Sequence, residues 1–174
     1  MITPAYESFV NDTAMELFGL SKKEKEAKAA KQKAIDDFDR KMELCEKILK
    51  DKSKMNLINK KLSEYAAKKY EDAAGIIFSG EMPKGARVPK ASDFKSNDID
   101  TFSGEYGKTK WDGHNPEITI SYKMTDDYCN YLFKIAKDQN SEYVETVNDI
   151  KEFAWCCVFY DPFTDKIVRF DYGD

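Results

Sequence analysis

Histidine is nearly missing from this chain: His114 is the only one. Zinc sites with two or three histidines, two-histidine phosphoesterases and HExxH peptidases are thereby excluded. Arginine is scarce as well, with Arg40, Arg87 and Arg169 alone, so bidentate reading of base edges is poorly provided for. The four cysteines, Cys45, Cys129, Cys156 and Cys157, form no CxxC pair. The expectation is reduced thiols that serve as small core residues, with the adjacent Cys156 and Cys157 on opposite faces of a strand. No Gly-rich phosphate loop of the GxxxxGK[ST] or GxGxxG type is present. The acidic stretch around Asp93–Asp100 lacks the Gly and the terminal Glu of a calcium loop. No apolar run approaches the ~20 residues that span a bilayer, and the opening MITPAYESFVNDT lacks the basic and apolar regions of a secretory signal. A cytoplasmic location, no membrane partner, no cofactor and no metal are the corresponding expectations.

What the chain does contain is charge and aromatic residues. Its 174 residues fit one domain, or one domain with an appendage. With 13% aromatic residues it can build a core rather than remain disordered. The net charge of -4 argues against a uniformly basic nucleic-acid coat. The charge is divided unevenly, however: residues 20–70 carry 16 basic and 9 acidic side chains, and residues 111–174 carry 6 basic and 13 acidic ones. A basic limb thus precedes an acidic body.

The limb reads as helical over residues 1–73. Thr3 and Pro4 suit the start of a short first helix, and Ser21 to Glu24 fits a capping box that opens a long one. No Gly or Pro interrupts residues 21–74, and a continuous helix over that span would reach ~80 Å. The apolar spacing is three-four: Ile35, Phe38, Met42, Cys45 and Leu49, then Met55, Ile58, Leu62 and Tyr65 one residue out of phase. Lys50 to Lys54 therefore reads either as a polar turn, with Ser53 capping the second helix of an antiparallel hairpin, or as part of one helix in a coiled-coil homodimer. The hairpin monomer is the leading expectation.

The body, residues 74–174, reads as mixed. Gly75 to Phe78 looks β-like, and Gly80 to Pro116 is dense in breakers and reads as loops. Residues 117–123 alternate as a half-buried strand. Thr125 caps a helix over about 126–137. Residues 153–160 and 166–172 flank a five-residue hairpin loop. The fold class is α+β: a long Lys-rich N-terminal helix or helical hairpin, then a small antiparallel sheet with one packed helix.

Three features are candidates for function, each with a plain structural alternative. Lys22, Lys23, Lys25, Lys28, Lys31 and Lys33 crowd three helical turns, which suits phosphate neutralisation but equally a solvated helix with i,i+4 pairs such as Glu24 with Lys28. A motif recurs: Phe78-Ser79-Gly80-Glu81 and Phe102-Ser103-Gly104-Glu105. Its glutamates could form an acid–base pair, or its turns could simply match. Finally Tyr106, Lys108, Lys110, Trp111 and His114 gather between Gly107 and Gly113 and their flanks, a composition suited to binding. Lys84, Arg87 and Lys90 on the preceding loop could extend that surface.

No motif marks a known family. The leading expectation is a non-enzymatic interaction protein that binds, and inhibits or adapts, a macromolecular partner, in the manner of many small phage and mobile-element proteins. A protein partner is favoured over nucleic acid. The alternatives are a nucleic-acid binder using the Lys-rich limb, and a small hydrolase or transferase built on Glu81, Glu105 or a cysteine near His114.

Overall fold

The computed structural model describes residues 19, 21–77, 83–139 and 144–172. The short helix expected from Thr3, and the whole first copy of the repeated motif from Phe78 to Glu81, lie outside the described residues. The expected α+β architecture is present. Helices α1 (Lys22–Lys50) and α2 (Lys52–Ile77) precede strands β1 (Phe94–Phe102) and β2 (Glu117–Met124). Helices α3 (Asp126–Asp138) and α4 (Val147–Phe153) follow, and strands β3 (Trp155–Asp161) and β4 (Lys166–Tyr172) complete the order. The described strands form one antiparallel sheet in the order β1-β2-β3-β4.

The capping box opens α1 as the sequence predicts. The Glu24 carboxylate accepts from the Ser21 N–H at 2.6 Å, and Ser21 Oγ accepts from the Glu24 N–H at 3.2 Å. The long helical stretch breaks at one residue. Asp51 is extended (φ -89°, ψ 100°), ends α1 by donating its N–H to the Ile48 carbonyl, and starts α2 by accepting from the Lys54 N–H at 3.1 Å. The cap is therefore Asp51, not Ser53, because a single extended residue is enough to turn the chain and its carboxylate reaches the orphan donor three residues on. Beyond the bend the two stripes are spent on the body. Cys45, Met55, Leu62, Ala66 and Tyr70 share one core with Phe94, Ile118, Ile120, Tyr122, Cys156 and Val158, and Ile48, Leu49, Ile58 and Tyr65 pack at its margin.

Helix α2 lies against one face of the sheet. Tyr122 donates its hydroxyl to Asn59 Oδ1 at 2.8 Å, and the rings of Tyr65 and Tyr70 meet those of Phe170 and Phe94 edge-on at 5.9 and 5.8 Å. Tyr122, Phe170 and Phe94 belong to the same face, as the register through Cys156, Val158 and Met124 requires. Tyr128, Cys129 and Leu132 of α3 and Ile150 of α4 close that core. Thr125 caps α3, accepting from the Tyr128 N–H.

Two local readings are corrected. Gly75, Ile76 and Ile77 are the last turn of α2, not a strand, because each further residue of an established helix gains a hydrogen bond, which outweighs the β preference of two isoleucines. Strand β1 emerges from the segment read as loops. Six consecutive residues of it, Lys95 to Asp100, are exposed, so it shows no alternation. It is an edge strand, and its own carboxylates guard that edge. Asp98 Oδ1 and Asp100 Oδ1 accept from the N–H groups of Ile99 and Thr101 at 2.9 and 2.7 Å, donors that could otherwise pair with a foreign strand.

The packing of α2 gives a direct test. Leu62 is fully buried and Leu57 is 72% exposed on the same helix. Leu62→Ala is expected to cost about 2–5 kcal/mol in denaturant unfolding, and Leu57→Ala about 0.5 kcal/mol or less.

Candidate functional site

The segment between β1 and β2, residues 103–115, is a loop whose conformation is set by short-range chemistry. Gly104 is buried at φ +112°, a conformation that favours glycine, and a β-carbon there would run into the His114 ring. That ring donates from Nε2 to the Ser103 carbonyl at 2.5 Å and packs edge-on against Phe38 of α1 at 5.1 Å. The Asp112 carboxylate accepts from the Thr109 N–H at 2.8 Å and holds a single 3-10 turn, Lys110–Asp112. The backbone bonds of Thr109 hold the Asp112 carboxyl below the usual range.

Side chains then fasten this loop to α1. Lys110 pairs with Asp39 at 2.5 Å, Lys41 donates to Asn115 Oδ1 at 2.8 Å, and the Lys31 ammonium sits 3.9 Å above the centre of the Trp111 ring. Asn115 in turn donates to the buried Asp161 at 2.9 Å, whose other oxygen accepts from the Phe163 N–H at 2.8 Å. Each exposed ion pair or cation–π contact contributes only ~0–1 kcal/mol. Acting together on one short segment, they fix its shape.

The eight residues predicted as a site fall into two groups. Tyr106, Lys108, Lys110, Trp111 and His114 sit together beside α1. Tyr106 is fully exposed and Trp111 48% exposed, Lys108 pairs with Glu105 at 3.5 Å, and His114 is half-buried. Lys84, Arg87 and Lys90 lie before the other end of β1, whose nine residues span roughly 30 Å. Arg87 is a fastener there. It grips Asp93 with two nitrogens at 2.6 and 2.9 Å, and its guanidinium lies over the rings of Tyr128 and Tyr131. The Tyr128 hydroxyl donates to the Arg87 carbonyl at 2.6 Å. The Arg87 bond, aided by the Lys90 N–H, holds the Asp93 carboxyl low against the opposing effect of burial. The Lys84 backbone brackets the Gln139 amide, leaving its own side chain exposed. Lys90 is likewise exposed.

Sequence reasoning missed a cluster on the sheet face opposite α2. Glu117, only 2% exposed, heads β2 and shares this face with Thr119. Arg169 lies over Phe159 at 3.9 Å and over Phe102 at 5.6 Å, and it pairs with Asp171 at 2.8 Å. Glu117 Oε2, Thr119 Oγ1, Arg169 Nε and, on the adjoining loop, His114 Nδ1 are buried without a partner among the described residues. Burial pushes the Glu117 carboxyl above its ordinary value of 4.5, reinforced by Glu105 and opposed by Lys108, Arg169 and His114. The alternation of β2 placed Glu117 on its polar side, and nothing in the spacing signals that this side is covered there.

The cysteines offer little reactivity. Burial pushes the Cys45 and Cys129 thiols up to about 11 and Cys156 to about 12, so they hold their protons at neutral pH. All four thiols are free, and Cys157 faces away from Cys156 as expected. Among the described residues no group of three or more His, Cys, Asp or Glu is placed to hold a metal ion, and no helix is long and apolar enough to cross a membrane. No family model, curated protein or solved structure matches this chain.

The Glu117 carboxyl yields a pH prediction. Its raised value in the fold means that, as pH climbs above 4.5, the unfolded chain ionises first and stability is lost until the folded value is passed. Glu117→Gln removes that loss. Its melting temperature is expected to exceed that of the natural chain at pH 7 and to converge with it near pH 4, measured by thermal unfolding across that range.

Proposed function

We propose that the protein acts by binding a protein partner, as an inhibitor or adaptor, through the corner where the 103–115 loop meets α1. The observation that carries this reading is the presentation of Tyr106 and Trp111, exposed aromatic side chains on a loop already fastened to a long helix. Tyrosine and tryptophan are the side chains most enriched among binding hot spots. A loop fixed in advance loses little conformational freedom when it docks.

Several details favour a protein over nucleic acid at this corner. One face of the Trp111 ring is covered by Lys31, Lys110 is engaged by Asp39 and Lys108 by Glu105. Asp112 adds a further carboxylate. Neutralised lysines among carboxylates attract phosphate weakly, whereas mixed charges around aromatic anchors suit a protein surface. A partner other than a second copy is favoured by the α2 stripe, whose Met55, Leu62, Ala66 and Tyr70 are buried in the chain's own core. The protonated thiols support binding over nucleophilic catalysis.

The test is affinity capture from lysate of the source organism, with and without nuclease, comparing the natural chain with a Tyr106→Ala/Trp111→Ala variant. A stoichiometric protein is expected with the natural chain, and its affinity should drop at least ~30-fold in the variant, the effect of losing one hot spot of about 2 kcal/mol. Equal capture by the variant would refute the site. Capture abolished by nuclease would transfer the function to the exposed Lys-rich turns of α1.

A further inference from the structure

At the other end of the sheet a different combination occurs. Lys95, Lys123 and Trp155 are directly opposed neighbours on three consecutive strands, and opposed residues share a face. Three side chains thus form a row across β1, β2 and β3 at intervals of ~4.8 Å. Both lysines are exposed, and Trp155 is half-buried. Like charges placed opposite each other across a ladder destabilise it, and neither lysine pairs with a carboxylate among the described residues.

The two lysines line a cleft of about 620 Å³ together with Ser96, Asn97, Met124, Thr125 and Asp126, and Trp155 follows Lys123 along the row outside that lining. A smaller cleft of about 220 Å³ adjoins it, between Lys123 and Lys151. Asp126, the carboxylate among the described lining residues, is already paired with Lys151 at 2.7 Å. A bulge between Ser96 and Asp98 leaves Asn97 without a partner on β2, within the lining of the cleft. In contrast to Trp111, no cation or second ring packs on Trp155 among the described residues.

We propose that this row and cleft bind a nucleotide unit, with its phosphate held between Lys95 and Lys123 and its base stacked on Trp155. Two opposed cations attract phosphate, and an adjoining ring stacks any base. Cations followed by a ring along one row match the order of phosphate and base in a nucleotide. An anion between the lysines relieves their mutual repulsion. The site is independent of the corner at Tyr106 and Trp111, since it lies at the other end of β1.

Trp111→Phe leaves Trp155 as the only tryptophan, so stacking can be read from its fluorescence. Adenosine 5′-monophosphate and a single-stranded eight-residue oligo(dA) are titrated separately into that protein. Quenching is expected, and for the oligonucleotide the affinity should fall with salt. Adding Lys95→Ala and Lys123→Ala should weaken binding at least tenfold and lower the salt slope by ~0.7, the value of one neutralised phosphate on a single strand. Relief of repulsion should leave the lysine variant at least as heat-stable as its parent. Quenching by the mononucleotide alone assigns a free nucleotide, and quenching by the oligonucleotide assigns a strand. The absence of quenching by either, or quenching and salt slope unaltered by the lysine substitutions, overturns the proposal.

Discussion

The contact between α2 and one face of the sheet is the constraint on which the remaining structure depends. Leu62, Ala66 and Tyr70 bury themselves against Ile118, Ile120, Tyr122 and Val158, and the Tyr122–Asn59 hydrogen bond sets where the helix lies along the strands. The bend at Asp51 follows from this. Helix α1 must leave α2 at its start, and from there it reaches the end of the sheet that carries residues 103–115. The stripe of α1 accordingly meets that loop and the core margin, with Phe38 on His114 and Cys45 in the core. The lysine-rich helix is held to the body by these few apolar positions.

The loop itself shows how weak interactions make a defined surface. Its exposed ion pairs are individually slight. Its positions are nevertheless over-determined, by Gly104 against the His114 ring, by Asp112 on its own 3-10 turn, and by Lys41, Asn115 and Asp161 in a chain that ends in the β3–β4 hairpin. The two ends of the sheet therefore differ in chemistry. At one, cations are matched with carboxylates around exposed rings. At the other, Lys95 and Lys123 stand opposed without a counter-ion among the described residues.

Elements with short-range signals were legible in the sequence. Ser21 with Glu24 and Thr125 at the head of α3 are caps whose donors and acceptors lie within three residues. The alternation of β2 and the hairpin of β3 and β4 follow from a core on one face. Features set by distant partners were not legible. Strand β1 is exposed through Lys95 to Asp100, so pairing with β2 rather than hydrophobic pattern defines it. Arg87 reads as a free cation until Asp93, Tyr128 and Tyr131 are brought around it. Glu117 reads as a solvent-side residue and is buried at the sheet end that adjoins the loop. The joining of Lys95, Lys123 and Trp155 spans sixty residues of chain and exists only through strand register.

The central claim is that the corner between α1 and residues 103–115 is formed before any partner arrives. Amide hydrogen exchange of the free protein tests it most directly. The N–H groups of Lys108, Thr109 and Asp112, which bond to Glu105, Asp112 and Thr109, are expected to exchange well below their unfolded rates and to slow further when α1 is stabilised. Exchange of these three amides at unfolded-chain rates, with α1 and the sheet protected, would contradict it.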